Sequence, residues 1–458
     1  MTEHHRKPFR FAISATFTAE PVERVIAFWS RELEWETEVD FAPFNQVSQT
    51  LLDPAGLFAA NTGGLNVVLL RAEDAGGGGN AREIAAICRE TAPSLNQPLL
   101  LILCPPSEAS RREAEEAAAA IEPLLAEAHG VQFIDWREIE RLYPVAQWMA
   151  PGGGQMGGVP YTEAGFAALG SAVVRRAHAM HVSPVKVIAV DCDNTLWKGV
   201  CGEDGPAGVV LDSGREQLHR FLIEQREAGL LLAIASKNNE ADVWETFAAH
   251  PEFPLQRRHF TTWRMNWESK ASNLIDMAAE LNVGVDSILL LDDNPKECAE
   301  VEAGAPGALA IAAPENAEEF EDFLRHIWVL DHPVVTEEDR RRAAAVEQSI
   351  EFNRQARQAG SLEEFIAGLD LRVDFSRLAP ERLGRVAQLT QRTNQFNNSG
   401  KRRTESELQA LLGDRRWQCY TAEVSDRFGE YGLVGALLVE QRPDEFYVDT
   451  FVRRCRGL

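Results

Sequence analysis

The sequence predicts an α/β protein that contains parallel sheets. Short aliphatic and β-branched runs recur along the N-terminal and middle parts of the chain, and residues 185–190 are a clear example. Such runs are typical of strands that are buried on both faces of a parallel sheet. Helical patterns separate the runs, as expected of βαβ units. Because 458 residues are more than one core normally uses, we expect several domains.

Composition and charge exclude several functional classes. Lysine and arginine number 46 against 70 acidic residues, and the net charge of −24 disfavours nucleic acid and anionic membranes as partners. The seven cysteines form no CxxC pair, which favours free thiols in a reducing compartment. Residues 1–10 lack the apolar core of a signal peptide, and no apolar run has the length of a membrane span. We therefore expect a cytoplasmic protein.

Residues 1–182 are predicted to form a first domain, which is a parallel α/β unit. Strand patterns alternate here with helical patterns, and turn residues separate them. The predicted strands cover residues 11–18, 65–71, 98–103 and 131–135, and the predicted helices cover 21–33, 107–129 and 163–180. Residues 73–80, which contain GGGG, are predicted to be a flexible loop.

Two segments of this domain, FNQV at residues 44–47 and GVPYTEAGFAALG at residues 158–170, resemble an SGNH-like domain. A working SGNH hydrolase also has a Gly-Asp-Ser opening near the first strand and an Asp-x-x-His pair before the closing helix. Neither is present, and His178 and His181 lie too late in the chain to replace them. We expect a non-catalytic scaffold or a partner-binding domain.

The middle of the chain carries two carboxylates directly after a predicted strand. Residues 185–190 run into Asp191 and Asp193, whose side chains project to the same side of an extended backbone. Like charges at this spacing repel each other unless a cation lies between them, and a hard divalent ion with oxygen ligands is the usual solution. The alternative is a loop rich in Asp and Asn that only turns the chain.

Further polar groups follow the next predicted elements of residues 183–330. Carboxyl ends of parallel strands meet at one edge of a sheet, where open α/β sheets bind ligands. The groups are Ser236 and Asn238 after a strand over residues 230–235, Lys270 at the start of an amphipathic helix, and Asp292 and Asp293 after a strand over residues 287–291.

This order of aspartate pair, hydroxyl, lysine and aspartate pair resembles the motif set of the haloacid dehalogenase (HAD) superfamily of phosphohydrolases. The resemblance covers residues 185–312, and the segments DCDNTLWKGVCGEDG and LDDNPKE resemble the FkbH-like branch, HAD subfamily IIIC. It implies a Rossmann-like sheet on which Asp191 attacks a phosphoryl group. Asp193 is then expected to protonate the leaving group and to activate water.

The resemblance also implies Mg²⁺ as the cofactor. The Asp191 carboxylate, the backbone carbonyl of Asp193 and the Asp292 carboxylate are expected to hold it. Ser236 and Lys270 are expected to neutralise the phosphoryl oxygens. Two further groups, Asp293 and Asn238, are expected to orient these groups from outside the metal and phosphate contacts.

Little material lies between the first two strands of this domain. One helix is predicted there, over residues 215–228, and Trp197 together with residues 198–210 is predicted to form a short flap. No folded lid is therefore expected, and an open site accepts large substrates. An acidic helix follows residue 312, and residues 331–368 are predicted to be a helical connector.

Residues 369–458 are predicted to form an α+β domain. Strands are expected over residues 371–375, 417–423, 432–440 and 445–452, with a helix over 380–389. The layout resembles the front half of a GNAT-type acyltransferase, and RTNQFN with DRFGEYGLVG again resembles FkbH-like proteins. A GNAT fold places a Gly-rich turn and a helix after the fourth strand to bind a pyrophosphate. The sequence stops at Leu458, so we expect a partial domain without a complete coenzyme A site.

The FkbH-like resemblance implies a glyceryltransferase/phosphatase of polyketide-type biosynthesis. Such a protein dephosphorylates 1,3-bisphosphoglycerate and loads the glyceryl unit onto the phosphopantetheine thiol of an acyl carrier protein. Cys192 and Cys455 are two candidates for the covalent tether, and the arginines beside Cys455 favour its thiolate. A stand-alone phosphatase of small phosphorylated metabolites and a non-catalytic docking component are the alternatives.

Overall fold

The structure is a computed structural model. It describes residues 8–126, 128, 130–152, 159–331, 371–379, 382–392, 401, 403–426 and 429–453. The chain divides into two compact units, one formed mainly by residues 1–340 and the other mainly by residues 341–458. Within the described residues, no helix has both the length and the apolar character needed to cross a membrane.

The first unit contains a five-stranded, fully parallel N-terminal sheet in the order β2-β1-β3-β4-β5. Its strands are β1 (Phe9–Ala15), β2 (Thr37–Phe41), β3 (Gly64–Leu70), β4 (Leu99–Leu103) and β5 (Val131–Ile134). Its helices are α1 (Val22–Glu32), α2 (Val47–Leu52), α3 (Gly78–Thr91), α4 (Arg111–Leu125), α5 (Trp136–Leu142) and α6 (Glu163–His181).

Four elements of this sheet region were not predicted, namely β2, α2, α3 and α5. Strand β2 reads TEVDF and lies at the edge of the sheet, where a strand needs no continuous apolar run. Helix α3 begins at Gly78, inside the segment predicted to be a flexible loop. Its buried face comes from alanine, isoleucine and cysteine at helical spacing, and these residues follow the glycines directly.

The first unit also contains a second parallel sheet, the middle sheet, in the order β10-β9-β6-β7-β8. Its strands are β6 (Val187–Val190), β7 (Leu231–Ser236), β8 (Thr262–Met265), β9 (Ile288–Asp292) and β10 (Leu309–Ala312). Its helices are α7 (Cys201–Asp204), α8 (Ser213–Glu227), α9 (Glu240–Ala249), α10 (Lys270–Leu281), α11 (Pro295–Gly304) and α12 (Phe320–Arg325).

Helix α6 joins the two sheet regions of the first unit. The Arg175 guanidinium on this helix contacts both carboxylate oxygens of Asp331, at 2.6 and 2.8 Å, and donates to the carbonyl of Arg325 at 2.9 Å. The rings of Trp29 and Trp328 pack beside this ion pair with centroids 4.6 Å apart. The segment after the middle sheet therefore packs back onto the N-terminal helices.

The second unit is built on an antiparallel sheet in the order β11-β12-β13-β14. Its strands are β11 (Arg372–Arg377), β12 (Trp417–Asp426), β13 (Gly429–Gln441) and β14 (Phe446–Arg453), with helices α13 (Leu383–Arg392) and α14 (Glu405–Leu412). The predicted meander is present, whereas helix α14 was not predicted. The predicted connector, except Asp331, lies outside the described residues, as does Cys455.

Candidate functional site

The candidate site lies at the carboxyl ends of three adjacent strands of the middle sheet. Strand β6 has β9 on one side and β7 on the other. Asp191 follows the last residue of β6, Ser236 ends β7 and Asp292 ends β9. The chain leaves β6 towards β7 and leaves β9 towards β10, so the two connections run in opposite directions from these adjacent strands. Such a switch point opens the crevice in which α/β sheets bind ligands. Three polar groups of the predicted set therefore meet at this crevice.

Three carboxylates converge on one point of this edge. Asp191, Asp292 and Asp293 each contribute an oxygen, and these oxygens all lie within 4.8 Å of one another. Asp191 and Asp292 are buried, and Asp293 is half-buried. Buried carboxylates this close repel each other unless a cation compensates them. Asp293, which we expected only to orient other groups, thus belongs to the carboxylate cluster itself.

Lys270 supplies one compensating charge. This lysine is the first residue of α10, and its ammonium lies 2.8 Å from Asp191 Oδ1 and 2.5 Å from Asp292 Oδ2. It also lies 2.8 Å from Glu297 Oε2. The neighbouring carboxylates outweigh the effect of burial and raise the pKa of Lys270, so the side chain stays charged.

Burial dominates the electrostatics of Asp191. It raises the pKa of the Asp191 carboxyl to about 7, and the nearby Asp292 charge acts in the same direction. Lys270 and a hydrogen bond from Ser236 act in the opposite direction. One ammonium therefore does not fully compensate the cluster, and a further cation at this point would favour ionised Asp191.

The Asp193 carboxylate is fixed by three donors. Its Oδ1 accepts hydrogen bonds from Trp197 Nε1 at 2.9 Å and from the backbone N–H of Cys201 at 3.0 Å. Its Oδ2 accepts from Asn238 Nδ2 at 2.9 Å. The Asn238 amide also donates to Ser236 Oγ at 3.1 Å. Asn238 therefore links the carboxylate after β6 to the hydroxyl at the end of β7.

A buried arginine holds the turn that carries Asp193 through hydrogen bonds. The Arg215 guanidinium on α8 donates twice to the carbonyl of Asn194, at 3.0 Å from Nε and 2.5 Å from Nη2. It also binds Asp212 Oδ2 at 2.5 Å. Asn194 has a φ of +56°, which is a left-handed conformation that asparagine tolerates well. The arginine thus holds a sharp turn immediately after Asp193.

Thr195 connects this turn to strand β9. Its hydroxyl accepts a hydrogen bond from the backbone N–H of Asp293 at 2.9 Å and lies 3.4 Å from Asp293 Oδ1. The next residue, Leu196, uses its carbonyl to accept from His219 Nε2 at 2.9 Å. The loop after β6 is therefore attached to both neighbouring elements through groups that have no role in the predicted motif set.

The predicted flap is present as a short two-stranded turn. Lys198 and Val210 form an antiparallel bridge, and α7 lies between them. Gly199 has a φ of +110°, which favours glycine, and Asp204 accepts a hydrogen bond from the N–H of Val200 at 2.9 Å. The flap and α8 are the elements between β6 and β7, so no folded lid is present there.

The structure does not support Cys192 as a covalent tether. Its side chain is fully buried in the apolar core below the sheet edge. Burial raises the pKa of the Cys192 thiol well above its ordinary value, which opposes formation of the nucleophilic thiolate. Strand alternation accounts for this burial, because Cys192 lies between Asp191 and Asp193, whose side chains point to the other side of the backbone.

The histidines of the N-terminal sheet region have structural surroundings. His178 is buried, with its ring 6.0 Å from that of Trp35 and 6.2 Å from that of Trp328. Burial lowers the pKa of His178. His181 packs edge-on against Phe9 and Trp35, with centroids 5.2 Å apart in each case. Both rings are thus part of an aromatic cluster at the end of α6.

Sequence reasoning found the motif residues and missed the groups that hold them. The structure brings together Asp191, Asp193, Ser236, Asn238, Lys270, Asp292 and Asp293. The missed groups are Thr195, Arg215, His219, Lys237 and Glu297, and the hydrogen bond from Trp197 to Asp193 was missed as well. Three residues, Thr195, Trp197 and Glu297, stand within the segments that carried the family resemblance, and this position was the available signal.

Comparisons with known proteins address the fold. No family model matches the sequence, and no curated protein does. A structure of the N-terminal part of a Bacteroides fragilis protein, which contains a phosphatase domain and is complexed with Mg, is similar with a TM-score of 0.61 at 18% identity. The match covers 71% of this chain and 95% of that chain.

Two other solved structures are more distant. A HAD-like protein from Mesorhizobium loti has a TM-score of 0.24 at 14% identity and covers 33% of this chain and 90% of its own. Tagatose-6-phosphate ketose/aldose isomerase from Escherichia coli has a TM-score of 0.19 at 11% identity, with coverages of 71% and 82%. These two scores are too low to carry an argument. The Bacteroides match and the observed sheets confirm the predicted fold class, an α/β protein with parallel sheets.

Proposed function

We propose that this chain is a Mg²⁺-dependent phosphohydrolase whose reaction takes place at the carboxyl edge of the middle sheet. The observation that carries the proposal is the convergence of Asp191, Asp292 and Asp293 within 4.8 Å, with the Lys270 ammonium against two of them. Phosphoryl transfer needs this combination of a nucleophile, a site for a hard cation and fixed positive charge.

The donor set fits Mg²⁺. Asp191, Asp292 and the backbone carbonyl of Asp193 would hold the ion, and Asp293 offers a further carboxylate oxygen close by. All of these are hard oxygen ligands, which this ion prefers. When bound, Mg²⁺ would polarise the phosphoryl group and neutralise developing negative charge. The Bacteroides structure that shares the fold is described as complexed with Mg, which supports this choice.

The chain's own residues divide the chemistry into two steps. In the first, an Asp191 carboxylate oxygen attacks phosphorus, the bond to the leaving oxygen breaks, and Asp193 gives that oxygen a proton. In the second, Asp193 takes a proton from water, the water oxygen attacks phosphorus, and the aspartyl phosphate releases inorganic phosphate. The three donors that hold Asp193 keep its carboxyl fixed beside the nucleophile during both steps.

Ser236 and Lys270 would bind the transferred phosphoryl group. The hydroxyl and the ammonium both contact Asp191, so the phosphorus attached to Asp191 lies within their reach. Fixed donors aimed at the phosphoryl oxygens stabilise charge in the transition state without reorganisation. Ser236 is buried and its hydroxyl is fixed by Asn238, so it is preorganised for this role.

The more specific proposal is glyceryl transfer. The segments that resemble FkbH-like proteins support dephosphorylation of 1,3-bisphosphoglycerate and loading of the glyceryl unit onto the phosphopantetheine thiol of an acyl carrier protein. The short flap is compatible with a substrate presented by a partner protein, because no lid closes over the crevice between β6 and β7. The burial of Cys192 leaves Cys455 as the candidate tether among the two cysteines considered.

The burial of Cys192 also favours a second candidate function, a phosphatase that acts on a small metabolite without acyl transfer. One experiment separates the two. An acyl carrier protein is incubated with this protein, Mg²⁺ and 1,3-bisphosphoglycerate, and its intact mass is compared with that from an Asp191→Asn control. A glyceryl adduct that is absent in the control supports transfer. Phosphate release without an adduct supports the stand-alone phosphatase, and neither product refutes both.

A further inference from the structure

Glu297 connects two lysines at the edge of the crevice. It lies in the first turn of α11, which begins directly after the Asp292–Asp293 pair and is capped by Asn294. Its Oε2 lies 2.8 Å from the Lys270 ammonium, and its Oε1 lies 3.1 Å from the Lys237 ammonium. Only 18% of its side chain is exposed. The predicted motif set assigns no role to Glu297 or to Lys237.

The contact between Glu297 and Lys270 bears on metal binding because of where Lys270 lies. Its ammonium touches Asp191 and Asp292, the two carboxylates that would hold Mg²⁺. An ammonium between these carboxylates competes with the ion for the same oxygens. Glu297 offers Lys270 a third acidic partner outside the carboxylate pair, and α11 holds that partner rigidly because its first turn is capped.

The charge of Glu297 is itself stabilised on two sides. Burial raises the pKa of its carboxyl, but the two ammonium groups more than offset burial and lower it, with Lys270 as the larger cause. The positive end of α11 acts in the same direction. Glu297 is therefore a permanently charged anchor, and Lys237 prevents its carboxylate from rotating away from Lys270.

We propose that Glu297 is a positioning residue that anchors Lys270 so that Mg²⁺ can bind between Asp191 and Asp292 while the ammonium remains at the phosphoryl site. The inference rests on the proposed phosphohydrolase function. Without the anchor, Lys270 is held by the two aspartates alone, so the ion must displace it. Loss of Glu297 therefore weakens Mg²⁺ binding and misplaces the ammonium during turnover.

The test measures Mg²⁺ binding and turnover in four proteins. Calorimetry on the metal-free full chain gives Mg²⁺ affinity without substrate, and p-nitrophenyl phosphate at saturating Mg²⁺ gives kcat and KM. The variants are Glu297→Gln, Glu297→Asp, which keeps the charge but shortens the reach, and Glu300→Gln. Glu300 is exposed on the same helix, so it controls for loss of one negative charge from α11. Thermal melting verifies that each variant folds.

Both Glu297 variants are expected to bind Mg²⁺ about 10-fold more weakly and to lose about 10-fold in kcat, the lower end of the effect expected when a partner of a metal or phosphate ligand is removed. Glu300→Gln is expected to match the wild type. Wild-type Mg²⁺ affinity in Glu297→Asp would overturn the inference. The weaker binding of Glu297→Gln would then be explained by the loss of one negative charge alone. Wild-type protein that binds no Mg²⁺ would overturn the proposed function as well, whereas wild-type binding with unchanged Glu297 variants overturns this inference alone.

Discussion

Both parallel sheets of the first unit have charged residues at the carboxyl ends of the strands beside their switch points. In the N-terminal sheet the charges are paired, whereas in the middle sheet like charges lie together. In the N-terminal sheet the switch point lies between β1 and β3, and Arg71 follows β3 there. Its guanidinium is buried and binds Glu73 at 2.5 Å and Asp74 at 3.0 Å. In the middle sheet, three carboxylates converge on one point, and the Lys270 ammonium contacts two of them, Asp191 and Asp292.

The two arrangements distinguish charges that stabilise one conformation from charges that need a bound cation. The Arg71 group is a local ion-pair cluster: its acids lie two and three residues away, its backbone N–H donates to Thr16 Oγ1 at 3.0 Å, and the adjacent Tyr161 hydroxyl donates to the carbonyl of Pro105. Such a cluster stabilises one conformation. The middle sheet instead brings like charges together from separate strands, which costs stability unless a cation binds.

Replacing Asp191, the proposed nucleophile, should give the largest effect. Asp191→Asn is expected to lower phosphate release from p-nitrophenyl phosphate by more than about 10⁴-fold, since Asp191 is the group proposed to form the phosphoenzyme. The variant should melt at or above the wild-type temperature, because a buried charge in a repulsive cluster is removed. Activity that survives within tenfold would place the chemistry away from the middle sheet.

Removing the acid–base group should have a smaller effect that depends on the leaving group. Asp193→Asn is expected to lower kcat by roughly 10²–10⁴-fold. The loss should be greatest for aryl phosphates with basic leaving groups, because p-nitrophenolate needs little protonation. A series of substituted phenyl phosphates would measure this. An equal loss of kcat/KM across the series, a quantity that reports only the phosphorylation step, would show that Asp193 does not protonate the leaving group.

The N-terminal sheet should respond to the loss of its charge in stability and not in turnover. Arg71→Met leaves Glu73 and Asp74 without their buried partner, and breaking a buried pair in this way costs about 3–5 kcal/mol. The thermal midpoint should fall while kcat of the folded fraction stays at the wild-type value. A specific loss of kcat with unchanged melting would show that the N-terminal edge takes part in catalysis.

Acid stability should reveal the buried histidine behind the catalytic loop. Burial lowers the pKa of His219 to about 4, so the unfolded chain binds a proton below about 6.5 and the folded chain does not until about 4. The contribution of neutral His219 to the free energy of unfolding is therefore fully present above pH 6.5. This contribution falls by roughly 3 kcal/mol at most as the pH decreases towards 4.

The comparison variant is His219→Gln, which can still donate to the carbonyl of Leu196. Its unfolding free energy should fall less steeply than that of the wild type between pH 6.5 and 4, and contributions from other groups cancel in the difference. Identical slopes for the two proteins would mean that His219 titrates normally in the folded state.

The smallest effect is expected at Cys192. Because the thiol lies in the apolar core, Cys192→Ala should cost about 1 kcal/mol of stability and leave phosphate release unchanged. Carrier loading, if it is observed with the wild type, should be unchanged as well. Loss of loading with intact phosphate release would restore Cys192 as the tether.

The sequence predicted what lies at strand ends and missed what lies between elements. Asp191, Ser236 and Asp292 could be located because an apolar run ends at each of them, and the structure has them at adjacent strand ends. The hydrogen bond from Arg215 to the carbonyl of Asn194 could not be predicted from sequence periodicity, because it depends on how α8 packs under the loop. Glu297 was missed for the same reason, since its partners come from β7 and α10 in three dimensions.

Secondary structure shows the same division. Buried strands such as β4 can be predicted from their continuous aliphatic residues, whereas the edge strand β2 has a mixed sequence and was not predicted. The start of α3 was hidden by glycines that usually mark a loop. Elements whose stability comes from tertiary packing give the weakest local signal.

The most direct test of the account is the site of covalent phosphorylation. The protein is mixed briefly with acetyl phosphate and Mg²⁺, quenched in acid, reduced with borohydride to convert an aspartyl phosphate to homoserine, digested and sequenced by mass spectrometry. The expected result is homoserine at position 191 and none at Asp193, Asp292 or Asp293. Homoserine at another aspartate, or phosphate release by the wild type with no modified aspartate, would contradict it.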